Sequence, residues 1–448
     1  MTIRSSAVVR PGDAGYDEAR AAWNRNVRQQ PAAVFVAEQA ADVRAAVRAA
    51  RSADLGIGVQ ATGHGVGRPC DGGVLVDTSR MRRVSIDAAN RTARVEAGAL
   101  WNDVIPAAYR AGLATLAGSA PHVGVVGYTM GGGFGWLGRR FGLNASGVTG
   151  AEVVTADGET VRCSAEQNAD LLWAIKGGGG NFGIVTALEF RLHPLTTVFG
   201  GAVYYPIEAA REVLGRYAEW TTDLPDEVTT AVAFLCLPPL PTVPEPLRAT
   251  PVIAIRGCHS GDPATPLFAP MRSGPGDPIL DTFGALPVTA MDTISGDPID
   301  PIGIVQRADL LAELTPDAID TLVDVAGTVS PLTIVELRQL GGALTRIPDL
   351  SPMGSGRARF SLNAIGATAT PESVERGTAA LARLAAAIAP FGTGETCLNY
   401  LEPDPAPDRI RAAYRPDDWD RLVALKDRFD PANRFRFNRN IPPSTAAV

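Results

Sequence analysis

Residues 111–138 read AGLATLAGSAPHVGVVGYTMGGGFGWLG: 28 positions with nine glycines and no Asp, Glu, Lys or Arg. The length is sufficient for a membrane span. Glycine at that density, together with Pro121, makes a poor lipid-facing helix, because each interior glycine costs about 1 kcal/mol relative to alanine. Arg139 and Arg140 stand where a flank would, yet no other segment resembles a span. The stretch is therefore read as main chain that must run very close to something large and flat.

The chain has 448 residues, too many for one core and suited to two or three domains. At 46% hydrophobic and 20% charged it has an ordinary globular balance. A net charge of −7 argues against nucleic acid or an anionic membrane as the main partner. The opening MTIRSSAVVRPGDAGYDEAR has no apolar run of secretory length. Five scattered cysteines (Cys70, Cys163, Cys236, Cys258, Cys397) form neither a disulfide framework nor a CxxC pair, so reduced thiols in a cytoplasmic protein are expected. None of the four histidines, His64, His122, His193 and His259, lies at ligand spacing from another, and no metal site is expected.

Residues 33–50 read as a strand followed by an amphipathic helix. GIGVQATGHGVGRP is a strand entering a glycine loop, and GGVLVDTSRM is a second strand. RRVSIDAANRTARVEAGAL alternates as half-buried strands do, with a turn at AAN. Residues 101–112 are helical in pattern. VTGAEVVTADGETVRC is a hairpin turning at Asp157-Gly158. NADLLWAIKGGGGNFGIVTALEFRLHP is a helix, a glycine turn and a strand. The composition changes near residue 198, and the Pro-rich residues 236–305 read as loop-heavy. TPDAIDTLVDVAG is a helix capped by Thr315 and Pro316. TIVELRQLGGAL and ARFSLNAIGA are strands, ESVERGTAALARLAAAIAP is a helix, and the tail is a helix followed by a short Asn/Arg/Pro segment. This is the layout of an N-terminal α+β unit, a middle domain, and a tail that returns to the first unit.

Gly178, Gly180 and Gly183 spell GxGxxG, but in reversed context. A dinucleotide fingerprint needs a strand before it and a helix after it, so that phosphate meets the helix N-terminus. Here a helix precedes and a strand follows, which disfavours a Rossmann NAD site. There is no GxxxxGKS/T loop and no GxSxG elbow. Three glycine-dense loops remain, at residues 62–67, 118–138 and 177–183, each beside a predicted strand. Glycine lets backbone N–H groups turn toward phosphate oxygens, and an uncharged lining suits a flat apolar ring. A nucleotide with a planar aromatic end fits all three; tight turns alone are the plainer alternative for each.

QATGHGVGRP, GSAPHVGVVGYTMGGGFGWLGRRFGLNA, LLWAIKGGGGNFGIVTALEF and DPANRFRFNRNIPP together resemble the berberine-bridge-enzyme-like FAD-linked oxidases of the vanillyl-alcohol-oxidase and para-cresol-methylhydroxylase (PCMH) superfamily. The resemblance runs from about residue 30 to residue 443 and is weakest in the middle domain. It implies an α+β fold with a split, PCMH-type FAD-binding domain of two α/β subdomains. Residues 1–198 would form its N-terminal part, residues 393–448 would complete it, and residues 199–392 would form a substrate domain whose antiparallel sheet, covered by helices, roofs the flavin. The implied partners are FAD, a small-molecule substrate and O₂, with the chain a monomer or homodimer.

On this resemblance His64 in ATGHG corresponds to the histidine bonded to the flavin 8α carbon; the alternative is a histidine that only hydrogen-bonds phosphate or backbone. The family's second anchor is a cysteine in a T-C-P pattern. Here the pattern reads Ser119-Ala120-Pro121, so a single attachment is expected. Gly63, Gly65, Ser119, Gly124, Gly127, Gly132 and Val185 are expected to offer main-chain contacts to FAD, and Asn438 resembles the tail asparagine that reaches it. Tyr128 falls where relatives place a polar group near the flavin; a buried tyrosine with a satisfied hydroxyl is the alternative. Tyr400 in CLNYLEP matches the element beside the ring and is a candidate proton acceptor, although a phenol of pKa about 10 needs a nearby cation to serve as one. Glu336 and Arg338 share one face of their strand, either toward the ring or as an outer-face ion pair. The implied reaction is hydride transfer from an alcohol, amine or secondary-metabolite intermediate to flavin N5, with O₂ reduced to H₂O₂. A flavin dehydrogenase, an oxygenating tailoring enzyme and a non-catalytic flavin-binding protein stand as alternatives. A carbohydrate-binding scaffold would leave His64 and the glycine loops without a role.

Overall fold

Three sheets organise the chain in the computed structural model, which describes residues 7–262, 265–327, 331–346 and 356–445. The first holds strands β1 (Ala7–Val9), β2 (Ala33–Val36), β3 (Ile57–Gln60) and β4 (Val74–Asp77), in the order β1-β2-β4-β3. Strands β2, β4 and β3 run parallel. All four residues of β2 are buried, as parallel strands covered on both faces require. The helix Ala40–Ser52 crosses from β2 to β3 and buries Val43, Ala46, Val47 and Ala50 against the sheet, its apolar positions recurring at helical spacing.

The second sheet is antiparallel: β5 (Val84–Asp87), β6 (Thr92–Glu96), β7 (Val148–Val154), β8 (Thr160–Ser164) and β9 (Ile184–Arg191), in the order β5-β6-β9-β7-β8. The β7–β8 hairpin turns at Gly158 with φ +85, a conformation glycine adopts without strain. Between β6 and β7 the chain makes the helix Trp101–Arg110 and then the uncharged stretch. That stretch contains the short helix Val125–Met130 and ends where the helix Gly138–Phe141 begins; the rest of its backbone lies in turns and extended segments.

Strands β10 (Thr197–Pro206), β11 (Val228–Cys236), β12 (Pro251–His259), β13 (Leu280–Asp281), β14 (Gly284–Pro287), β15 (Gly303–Leu311), β16 (Ile334–Gln339) and β17 (Phe360–Thr368) build the third sheet. Its order is β13-β10-β12-β11-β16-β17-β15, with β14 also on β10, and the pairs are antiparallel. Residues 236–305 are less loop-like than their prolines indicate. PVIAIRGCH forms the central strand β12, paired along nine positions with β11, because its own β-branched run satisfies the ladder and the prolines stay at its ends.

Alternation divides the third sheet into two faces. Val203, Tyr205, Val232, Phe234, Ile253, Ile255, Val335, Leu337 and Leu362 belong to one apolar cluster with residues of the helices Ala210–Trp220, Pro316–Ala326 and Pro371–Ile388. The opposite face carries Ala231 and Cys258, which pack on Leu116, Trp136 and Leu137 of the uncharged stretch. Arg139, next in the chain, is 5% exposed, and its guanidinium donates to the backbone carbonyls of Val228, Leu340 and Leu224. Arg139 thus ties the stretch to the third sheet. Among the described residues no helix is long and apolar enough to cross a membrane.

Candidate active site

The loop after β3 carries His64. Its Nδ1 lies 2.8 Å from Thr62 Oγ1, and its ring stacks on Trp23 at 4.5 Å and tilts against His122 at 4.9 Å. Nε2 is buried and has no hydrogen-bond partner among the described residues. Burial, with His122 beside it, pushes the imidazole pKa down to about 3. At neutral pH His64 is uncharged, one ring nitrogen carrying the proton and the other a free electron pair, and the Thr62 hydroxyl can pair with Nδ1 in either tautomer. Gly63 before it has φ +74, and a Cβ there would stand 2.7 Å from Ala22 Cα. Trp23 is a site residue that the sequence reading missed. Its Nε1 donates to Ile299 O at 3.1 Å, a contact across 276 positions that no local pattern announces.

The uncharged stretch has two kinds of glycine. Gly118 and Gly133 flank the Tyr128 ring, and a Cβ on either would approach it to 3.0 and 2.5 Å. A Cβ on Gly135 would meet Ala117 O at 2.0 Å. These positions are bare because protein presses on them. Gly127, in contrast, has nothing within 4 Å of its Cβ position. Gly124 is the N-cap of the short helix, and Gly132 holds φ +104. Tyr128 donates its hydroxyl to Leu116 O at 3.1 Å and meets Trp101 edge-on at 5.5 Å. Its pKa is raised well above the usual phenol range by burial, with Tyr400 adding and Arg338 opposing. Tyr128 is thus a neutral phenol whose hydroxyl is already engaged by backbone.

The tail closes over two of the glycine loops. Asn438 Nδ2 donates to Gly180 O and Phe435 O, both at 3.0 Å, while its Oδ1 is buried without a partner among the described residues. Arg439 donates to Gly65 O and Leu401 O at 2.9 and 2.8 Å. Lys426 is fully buried; its Nζ donates to Asp430 Oδ2 at 2.7 Å and to Asn181 O at 2.9 Å. Asn399, directly before Tyr400, was not singled out from the sequence. It clamps the uncharged stretch by accepting from Gly133 N at 2.8 Å and donating to Tyr128 O at 2.9 Å.

Glu336 and Arg338 lie on the face of the third sheet turned toward that stretch, 9% and 4% exposed. They are an ion pair, and an inner one. Arg338 donates from Nε and Nη2 to Glu336 Oε1 at 3.1 and 2.8 Å, and Arg256 donates from Nη1 to Oε2 at 3.0 Å. Burial alone would raise the Glu336 carboxyl; Arg338 and then Arg256 outweigh it and hold the group below its ordinary value. The Arg338 guanidinium covers the Trp136 ring at 4.4 Å. Tyr400 packs edge-on against Phe134 at 5.9 Å, and burial pushes its pKa up to about 12, although Arg338 pulls the other way.

Of the expected cofactor contacts, the structure brings Gly63, Gly65, Gly124, Gly127, Gly132 and Asn438 to these loops, with Ser119 half-buried between them. Val185 lies inside β9, its side chain in the core and its backbone opposite Val153. The residues fit a dinucleotide with a flat ring. Unpartnered buried atoms gather at the loops: His64 Nε2, both His122 nitrogens, and Oδ1 of Asn438 and of Asn440. A Cβ on Gly65 or Gly180 would meet only the end of a long side chain, at 3.8 Å. Unpartnered polar atoms, uncharged backbone and room therefore coincide.

Comparison with known proteins points the same way. The family described as "FAD binding domain" matches residues 31–164, and the one described as "Berberine and berberine like" matches residues 398–442. An FAD-linked oxidoreductase of Dictyostelium discoideum is 27% identical over 94% of this chain and 91% of its own length. The (R)-6-hydroxynicotine oxidase of Paenarthrobacter nicotinovorans is 28% identical over 97% of this chain and 96% of its own. The crystal structure of 6-hydroxy-D-nicotine oxidase from Arthrobacter nicotinovorans superposes with a TM-score of 0.85 at 26% identity, covering 98% of each chain.

Proposed function

The chain belongs to the berberine-bridge-enzyme-like FAD-linked oxidoreductases, and from that premise we propose that it is an oxidase that carries its flavin on His64. The substrate is a small alcohol or amine, in keeping with the hydroxynicotine named for one relative. When bound, the flavin supplies a two-electron acceptor that takes hydride from a substrate C–H bond and passes the electrons to O₂, giving H₂O₂. Residues 1–198 and 393–448 hold the cofactor and residues 199–392 roof it; the first two sheets lie within residues 7–191 and the third within residues 197–368.

The observation that carries the reading is the buried Nε2 of a neutral, half-buried His64, without a partner among the described residues, at the mouth of a glycine loop. Thr62 engages Nδ1 and Trp23 fixes the ring plane; in the tautomer whose Nδ1–H donates to Thr62, the Nε2 lone pair is left for one electrophilic carbon. Ala120, in place of a second anchoring nucleophile, leaves that attachment single. Gly65, Gly124 and Gly127 bring backbone to the cofactor, Asn438 Oδ1 accepts from it, and Tyr128 holds the loop at its proper height. Arg338 and Tyr400 face the substrate, with Glu336 keeping the Arg338 fork in place.

Acid-precipitated protein is expected to stay yellow and to yield a flavin-bearing peptide containing His64. The His64→Ala variant is expected to release all of its FAD. A wild-type protein whose FAD extracts completely would reject the attachment. An anaerobic screen of alcohols and amines for bleaching of the oxidised flavin, followed by peroxide measurement on readmitting air, tests the rest; bleaching without peroxide would make the chain a dehydrogenase.

A further inference from the structure

The inward face of the third sheet bears on the substrate's chemistry. Glu336 is the carboxylate paired with two buried guanidiniums, Arg256 and Arg338, and the positive charge left over on that trio is offset at longer range by the half-buried Asp297. Such charge is costly unless a counter-ion meets it. Arg256 directs Nη2 to Ser295 O at 3.1 Å. Arg338 uses Nε and Nη2 on Glu336, while Nη1 is buried with no partner among the described residues. Stacking on Trp136 fixes the plane of the fork and hence the direction of that free edge. Tyr400 packs on the Phe134 ring at 5.9 Å, the same ring that the Arg338 guanidinium approaches at 5.9 Å, and its protonated hydroxyl is a second donor in that neighbourhood. Asp297, half-buried in the loop before β15, is a further carboxylate whose charge reaches both Arg338 and Tyr400.

We propose that Arg338 Nη1 receives an anionic oxygen of the substrate, so that this enzyme oxidises a small organic acid whose reactive C–H bond lies near its carboxylate. The inference rests on the flavin-oxidase reading and narrows it. A guanidinium edge with a phenol hydroxyl in the same neighbourhood is suited to receive an oxyanion, and a charge-assisted hydrogen bond of this kind is about twice as strong as a neutral one. A carbonyl oxygen of the flavin has the same acceptor chemistry, and the experiment separates the two sources.

Holoenzyme is titrated with benzoate and, as its uncharged counterpart, with benzamide, followed by the flavin difference spectrum and by calorimetry. Benzoate is expected to bind at least tenfold more tightly than benzamide. Arg338→Gln should remove that preference, and Arg338→Lys, which keeps the charge, should retain part of it. Equal binding of the two probes by the wild type overturns the proposal without needing any variant. If the wild type ignores benzoate and Arg338→Gln shifts the flavin spectrum with no ligand present, the free edge belongs to the flavin and the proposal falls. FAD content and photoreduction of the same samples report on the parent reading: a protein without FAD overturns that reading, whereas a flavin-loaded protein indifferent to benzoate overturns only this inference.

Discussion

Tyr400 holds its proton to about pH 12 because burial outweighs the Arg338 cation beside it. If its phenolate accepts the substrate's proton, the fraction of competent enzyme rises about tenfold per pH unit up to that value. The rate of anaerobic flavin reduction should therefore climb through neutral pH without a plateau. Tyr400→Phe should slow it by ~100-fold or more and flatten the pH profile while FAD stays bound. A variant with the wild-type profile would leave Tyr400 as a donor only. The same comparison separates Tyr400 from Tyr128, whose hydroxyl already serves Leu116 O.

The glycine loops are elements with two duties, and the Cβ distances separate them. At Gly67 an added methyl would stand 2.6 Å from the Asn438 carbonyl carbon and 2.7 Å from Arg439 N, both backbone. Gly67→Ala must shift the tail and is expected to cost about 1–3 kcal/mol in chemical unfolding, as overpacking usually does. Gly127 sits inside a short helix with open space beyond it. Gly127→Ala should stabilise the apoprotein by roughly 0.5–1 kcal/mol, since alanine restricts the unfolded chain, while lowering FAD incorporation. Full flavin content in that variant would remove Gly127 from the cofactor cradle.

Across the whole molecule the four histidines are all held below the ordinary imidazole pKa, each chiefly by burial: His64 to about 3, His193 to about 4, His122 and His259 to a lesser degree. The unfolded chain takes up protons near pH 6.5, before the folded chain does. The stabilisation is complete above that value and is lost as pH falls through about 4. His193 stacks on Phe141 at 4.1 Å, with Arg191 and Arg140 opposing its protonation. The melting temperature of the flavin-free protein, in which His64 is an unmodified imidazole, should fall steadily from about pH 7 to about pH 4.5, with His193 and His64 together contributing on the order of 3 kcal/mol. His193→Gln should make that limb shallower; an unchanged acid limb would mean that carboxylates, not histidines, set it.

The sequence by itself determined the local elements and the chemical character of the site. Period-2 and period-3.6 patterns placed β5, β6, β16 and β17 and the long helices, because those patterns are set by backbone geometry and survive in any fold. Motif order carried the likeness to FAD-linked oxidases, since His64 and the glycine loops are short and contiguous. What folding alone decided is everything that depends on contacts between distant positions. Glu336 and Arg338 could be assigned a shared face but not an inside or an outside, because the side on which helices pack is fixed by the whole sheet. Trp23 against His64, Asn399 across Gly133, and the free edge of Arg338 each need residues far apart in the chain to meet. No pattern along the sequence encodes a hydrogen bond that a buried atom fails to make.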